Sequence, residues 1–213
     1  MLNKYKFYFF DFDGVIVDTI SIKGNAFAEL YKDYGDDVCQ KVITHHKAFG
    51  GVNRYKKIKH YHNEFLNQDI SEEQVNDLAE KFSNIVIEKV IKANSIDGAL
   101  EFLNILKQQN KKVFIVSNVP EKELLEIIQR RNLLDYFADI KGSPESKIQN
   151  MTSLIKQFEV DTSKCVYFGD AEADLDAANN CKVEFIPINY YKPIEKGYIN
   201  FEKLINDWNI NYV

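Results

Sequence analysis

The feature that most constrains this chain is a series of short, unbroken apolar runs, each too short to form a helix of its own. Lys6-Phe7-Tyr8-Phe9-Phe10, Val113-Phe114-Ile115-Val116, Cys165-Val166-Tyr167-Phe168 and Glu184-Phe185-Ile186-Pro187 are of this kind. A weaker run lies at Ala138-Asp139-Ile140. Apolar runs without polar alternation suit strands buried on both faces of a parallel sheet. Segments of helical period separate them. Ala99 to Gln109 places Leu100, Leu103 and Leu106 at i, i+3 and i+6. Pro120 to Arg131 sets Leu124, Ile127 and Ile128 on one face, with Pro120 expected at the first helical position. Ser146 to Phe158 and Glu172 to Asn180 complete the alternation, which predicts an α/β fold with right-handed crossovers.

One stretch breaks this pattern. From about residue 20 to 94 there is no convincing strand, and four helices are expected, at Ile22–Tyr34, Asp37–His46, Asn53–Leu66 and Ser71–Lys92. The last opens on Ser71-Glu72-Glu73-Gln74, where Ser71 and Gln74 match a capping box. The expected organisation is an α/β core at residues 1–18 and 95–213, with an all-helical domain at 19–94 inserted after the first strand. A chain of 213 residues has room for one or two domains at roughly 100–200 residues each. At 45% hydrophobic and 28% charged it can bury a core of its own.

Bulk properties exclude several classes of function. The formal net charge of −5 gives no general attraction for nucleic acid or an anionic membrane, so any anionic ligand needs a local site. The apolar stretch Phe7 to Phe10 is too short for a signal segment or a membrane span. Cys39, Cys165 and Cys181 show no Cys-x-x-Cys spacing and cannot all pair with one another. A reduced, cytoplasmic setting is expected.

Polar residues gather where the strands should end. Asp11 and Asp13 follow the first strand, Ser117 and Asn118 the second, and Asp170 the fourth, with Asp174 four residues further on. Lys147 opens a helix after the turn Gly142-Ser143-Pro144. Open parallel sheets bind ligands outside the carboxyl ends of their strands, so these groups are expected to share one crevice. Each has an ordinary alternative when taken alone. Asp-Gly is a common turn pair, Ser117-Asn118 before Pro120 could cap a helix, and Lys147 could be a solvated helix residue. Together they make a coherent chemistry. Clustered carboxylates repel one another and imply a cation, and an all-oxygen set favours Mg²⁺, which also binds phosphate. A carboxylate can attack phosphorus and form an aspartyl-phosphate, and a neighbouring carboxyl can act as acid and then base. A hydroxyl and an ammonium can hold phosphoryl oxygens as charge shifts.

On these residues the chain resembles the haloacid dehalogenase superfamily, in its phosphatase branch with a helical cap, near phosphoglycolate phosphatase and β-phosphoglucomutase. Asp11 to Thr19 is similar to the first family motif, Ser117-Asn118 to the second, Pro144 to Lys147 to the third, and Gly169 to Asp174 to the fourth. The resemblance implies a Rossmann-like three-layer core with a parallel sheet and an inserted all-α cap. It implies Asp11 as nucleophile and metal ligand, and Asp13 as acid/base lending its backbone carbonyl to the metal. Ser117 and Lys147 would hold the phosphoryl group. Asp170 would ligate Mg²⁺, and Asp174 would support the site through metal-bound water or Lys147. Dehalogenases of the superfamily lack the second aspartate, so Asp13 points to phosphoryl transfer.

The helical insert is expected to read the substrate. Arg54 could pair with a second phosphate or a carboxylate, one of the adjacent His45 and His46 could reach the crevice, and Lys23 and Asn118 are further candidates. Gly50 to Lys57 resembles a subgroup often encoded beside glycan or nucleotide-sugar genes, which implies a sugar phosphate or related acid. The expected activity is Mg²⁺-dependent hydrolysis of a small phosphorylated metabolite by a monomer or homodimer. The rival readings are a β-phosphoglucomutase-type phosphomutase and a catalytically idle ligand-binding module.

Overall fold

The computed structural model describes residues 2–189 and 200–210, so the parts of the expected core at 190–199 and 211–213 lie outside the described residues. Five strands form one sheet: β1 (Phe7–Phe10), β2 (Lys112–Pro120), β3 (Asp139–Ser143), β4 (Cys165–Gly169) and β5 (Glu184–Pro187). They are parallel throughout, in the order β3-β2-β1-β4-β5. Four coincide with the expected apolar runs, and β3 overlaps the weaker one at Asp139-Ile140 and runs on through Gly142 and Ser143, which the sequence reads as a turn. The pairing of β2 with β3 shifts register between Val116 and Pro120. Pro120 therefore ends a strand and caps the following helix, where the sequence predicts it at the first helical position. Its backbone (φ −52°, ψ 130°) is extended and falls outside the helical region.

Among the described residues nine α-helices follow: α1 (Ile20–Leu30), α2 (Asp36–Ala48), α3 (Arg54–His60), α4 (Glu72–Lys92), α5 (Ala99–Gln108), α6 (Glu121–Arg130), α7 (Lys147–Gln157), α8 (Glu172–Asn180) and α9 (Phe201–Ile210). The chain divides into two compact units, one made of Met1–Asp18 and Asn94–Val213, the other of Thr19–Ala93.

In the first unit the pleat sorts the strand side chains. Tyr8, Phe10 and Phe168 face α5 and α9, where Phe10 lies 4.6 Å from Phe168 and 6.3 Å from Phe102, ring centre to ring centre. Phe201 of α9 packs on the same rings, and no helix is expected from the sequence at that position. Phe9, Phe114, Val116 and Tyr167 point the other way, against Met151 and Leu154 of α7 and Ala177 and Ala178 of α8. Each fully buried phenylalanine stabilises this arrangement by about 1.5–3 kcal/mol. Helices thus cover both faces and leave the carboxyl edge of the sheet to carry the polar residues.

The second unit is all helical. α4 begins with the expected capping box: the Gln74 amide donates to Ser71 Oγ at 3.2 Å, and the Ser71 amide donates to Gln74 Oε1 at 2.9 Å. The helix expected at Asn53–Leu66 is instead two pieces, α3 and a π-helical turn at Tyr61–Leu66. Phe27, Tyr31, Val42, Ile58, Tyr61, Ala79 and Phe82 close the core of this unit. Among the described residues no helix is long and apolar enough to cross a membrane, and all three cysteines are free.

Candidate active site

Because every strand is parallel, all five carboxyl ends lie on one edge. The connections leave β1 towards β2 and β3, and then cross back to β4 and β5. The order therefore reverses between β1 and β4, where an open sheet leaves a crevice. Asp11 directly follows β1 and Asp170 directly follows β4, so both stand at that reversal. Ser117 lies in the last part of β2, and Lys147 is the first residue of α7, after β3.

The turn after β1 is tightly wound. The amides of Ile16 and Val17 both donate to the Phe12 carbonyl, and the Gly14 amide donates to Val17. Gly14 has φ 73°, a value that side chains disfavour, so the glycine of Asp13-Gly14 answers a backbone requirement. Asp11 is anchored on both sides: its amide donates to the Phe168 carbonyl at 2.9 Å, and its Oδ1 accepts from the Phe12 amide at 2.6 Å. Asp13 is half-buried beside it.

Lys147 joins the end of β1 to the first turn of α8. Its Nζ donates to Asp11 Oδ2 at 2.7 Å and to Asp174 Oδ1 at 2.5 Å, with only 4% of the residue exposed. Asp174 is wholly buried in α8, and its Oδ1 also accepts from the Tyr167 hydroxyl at 2.6 Å, while Oδ2 accepts from the Ala171 amide at 3.1 Å. Asp11, Asp170 and Asp174 each offer a carboxylate oxygen, and these oxygens lie within 4.8 Å of one another. The carboxylate of Asp13 is not among them.

The electrostatics follow from this crowding. Burial raises the Asp11 pKa, Lys147 opposes that, and Asp174 and Asp13 push it further up. Asp170 is driven well above the carboxylate range, first by loss of water and then by Asp11 and Asp174. Burial alone would lower the Lys147 pKa, but Asp11 and Asp174 outweigh it and hold the ammonium above the usual lysine range. One ammonium thus sits among more negative charge than it can neutralise.

Smaller residues hold the frame. A side-chain carbon at Gly169 would overlap Asp174, and one at Gly142 would overlap Val119 and Glu121, so both glycines let neighbouring elements approach. The Asn150 side chain donates to the Gly142 carbonyl at 2.8 Å and steadies the loop before Lys147. Ser117 is buried, with its Oγ 3.4 Å from the Val119 amide. Tyr167 and Asn150 belong to the site and escape sequence reading. The only signal at Tyr167 is a hydroxyl inside an otherwise apolar strand, and Asn150 looks like any helix polar residue.

Asn118 follows Ser117 in β2 and is half-buried. Lys23, His46 and Arg54 belong to the helical unit, and all three are buried there. Arg54 donates to Ser83 Oγ at 2.5 Å, and its guanidinium lies 4.8 Å from the centre of the Phe82 ring. His46 Nδ1 accepts from Lys57 Nζ at 2.8 Å. Burial, reinforced by Lys57 and Lys23, pushes the His46 pKa down to about 2, so its ring is neutral.

Comparison with known proteins places this geometry in context. A family model for haloacid dehalogenase-like hydrolases matches residues 8–188. A phosphorylated carbohydrates phosphatase from Thermotoga maritima is 24% identical over 191 residues, covering 83% of this chain and 82% of the relative. Among solved structures, a β-phosphoglucomutase from Clostridium difficile is similar with a TM-score of 0.74 at 22% identity, covering 98% of this chain and 99% of that one. A HAD-type hydrolase from Bacillus subtilis, solved bound to magnesium, has a TM-score of 0.73 at 20% identity, covering 96% and 99%. At such identities the structural likenesses speak for the fold. The family match spans most of the chain, from the strand before Asp11 to the one after Asp174, and the chain belongs to the haloacid dehalogenase-like hydrolases.

Proposed function

We propose that this chain is a Mg²⁺-dependent phosphatase for a small phosphomonoester, a sugar phosphate or phosphorylated small acid, working through an aspartyl-phosphate on Asp11. The observation that carries the reading is the joint placement of Asp11, Asp170 and Asp174 with Lys147 at the sheet's reversal point. The donor set fits the metal. Three carboxylates offer oxygens within 4.8 Å, and burial and mutual repulsion make a further positive charge favourable there. Hard oxygen donors match Mg²⁺, which Asp11, Asp170 and the Asp13 backbone carbonyl would hold, with Asp174 supporting the site through metal-bound water or Lys147. When bound, the ion would screen these carboxylates and draw charge from the phosphoryl oxygens.

The chain's own residues would do the rest. One Asp11 oxygen attacks phosphorus, forming the Asp11–phosphorus bond as the bond to the leaving oxygen breaks. Asp13 gives that oxygen its proton, then accepts a proton from the water that hydrolyses the acyl phosphate. This returns free Asp11 and inorganic phosphate, and leaves Asp13 protonated as it began. The Ser117 hydroxyl and the Lys147 ammonium hold the equatorial oxygens. We assign the helical unit the role of a cap, with Lys23, His46 and Arg54 as its candidates for recognising the leaving group; Asn118 is the candidate within the core. The name of the Thermotoga relative supports a carbohydrate phosphate, and the magnesium of the Bacillus structure supports the choice of ion.

Asp11→Asn removes the nucleophile at almost constant volume. It is expected to abolish Mg²⁺-dependent turnover of p-nitrophenyl phosphate while leaving the circular dichroism spectrum unchanged. Near-normal turnover in that variant would overturn the mechanism. A coupled assay for sugar-phosphate isomerisation separates the phosphatase from the mutase.

A further inference from the structure

Tyr167 is wholly buried in β4, among Phe9, Phe114, Val116, Met151 and Leu154. An aromatic residue in such a core needs no hydroxyl to pack, and a buried hydroxyl must find partners. This one has two. It lies 2.6 Å from Asp174 Oδ1 and 3.0 Å from the Val116 carbonyl oxygen. A phenol carries one proton, and the shorter contact, to the carboxylate, has the length of a charge-assisted bond. Val116 immediately precedes Ser117 in β2, and Asp174 holds the Lys147 ammonium that reaches Asp11.

We propose that Tyr167 is a positioning residue for this reaction: its hydroxyl fixes the Asp174 carboxylate and, through it, the Lys147 ammonium beside Asp11. The role rests on the phosphatase reading above. Asp174 Oδ1 is held from two directions, by Lys147 and by Tyr167. Without the phenol, the carboxylate keeps Lys147 on that oxygen and the Ala171 amide on the other, and is less firmly held against turning about its Cβ–Cγ bond. Lys147 then loses its fixed place between Asp174 and Asp11. Binding of a phosphate ester draws on the whole site, whereas orientation of the ammonium matters most as charge moves in the transition state. The loss should therefore fall on kcat.

Tyr167→Phe deletes only the hydroxyl. We expect kcat for p-nitrophenyl phosphate to fall about tenfold, the scale of one charge-assisted hydrogen bond, with KM within about twofold of wild type. Met151→Leu, in the same core cluster, serves as control and should lower the melting temperature without changing kcat. A crystal structure of Tyr167→Phe should show Asp174 turned and Lys147 moved away from Asp174 or Asp11, with β4 undisturbed. A Tyr167→Phe enzyme with wild-type kcat overturns the proposal. If the wild-type protein hydrolyses no phosphate ester, it is the phosphatase reading that fails. The crystal structure then decides alone, and unmoved Asp174 and Lys147 overturn the positioning role.

Discussion

At Gly169 a hydrogen stands where any other residue would place a carbon, and that carbon would overlap Cβ and Cγ of Asp174. Its backbone does not need a positive φ, so the constraint is purely one of space. The atoms in the way belong to a side chain already fixed by Lys147, Tyr167 and the Ala171 amide, which cannot yield cheaply. Gly169→Ala is therefore expected to cost about 1–3 kcal/mol of stability, as overpacking does. Because Asp174 must move, turnover of p-nitrophenyl phosphate should fall by about tenfold or more. A variant with normal melting temperature and normal kcat would show that Asp174 has room to give. Individual residues were unequally legible in the sequence. Asp11, Asp13 and Asp170 stand out because carboxylates recur directly beyond apolar runs, whereas Lys147 alone reads as a solvated helix residue and stands out only in their company. Tyr167 hides because a tyrosine in an aromatic run has the same pattern as core. Only the structure separates the ring, which packs, from the hydroxyl, which holds Asp174.

Elements were more legible than their ends. Four of the strands match strong apolar runs, since burial on both faces leaves little to blur the signal. The edge strand β3, with Asp139, Lys141 and Ser143, gives only the weaker one. Ends depend on local contacts that the pattern does not carry. β2 runs on to Pro120 because its ladder with β3 resumes there after a register shift. The helix expected through Leu66 changes to a π turn at Tyr61, where Tyr61 and Phe65 stack at 5.5 Å and both meet the His45 ring. Capping boxes are the exception, because their signal is local. Ser146 repeats the pattern of Ser71: the Gln149 amide donates to Ser146 Oγ at 3.2 Å, and the Ser146 amide donates to Gln149 Oε1 at 2.9 Å. This cap secures the end of α7 from which Lys147 projects. Ser146→Ala should destabilise the protein by about 1 kcal/mol, read as a lower urea midpoint with unchanged m, and Ser146→Asp should restore most of it. If the alanine variant unfolds at the wild-type midpoint, the first turn of α7 is held by its packing and the cap contributes little.

On the scale of the whole molecule, the net charge of −5 conceals an uneven distribution, with Asp11, Asp170 and Asp174 gathered at one sheet edge around a single ammonium. Burial and mutual repulsion raise the pKa of Asp11 and Asp170 in the folded chain. A carboxyl with a raised folded pKa binds its proton more tightly folded than unfolded. It therefore subtracts stability as pH climbs from the ordinary carboxylate range through that folded pKa. A cation that binds these groups only in the folded state reverses the loss, by about 2.7 kcal/mol at a hundred times its Kd. For a chain of this length that is a rise in melting temperature on the order of 5–10 °C. Below that range the ion must displace protons to bind, so its effect shrinks. The Mg²⁺-induced rise should thus be large at pH 7.5, small at pH 5, and abolished by EDTA at either. Asp170→Asn removes one proposed ligand and one repelling charge together. It should raise the metal-free melting temperature at pH 7.5 while diminishing the response to Mg²⁺. An Mg²⁺ shift equal at both pH values, or undiminished in Asp170→Asn, would place the ion away from this edge, and the carboxylates would then need another partner to account for their convergence.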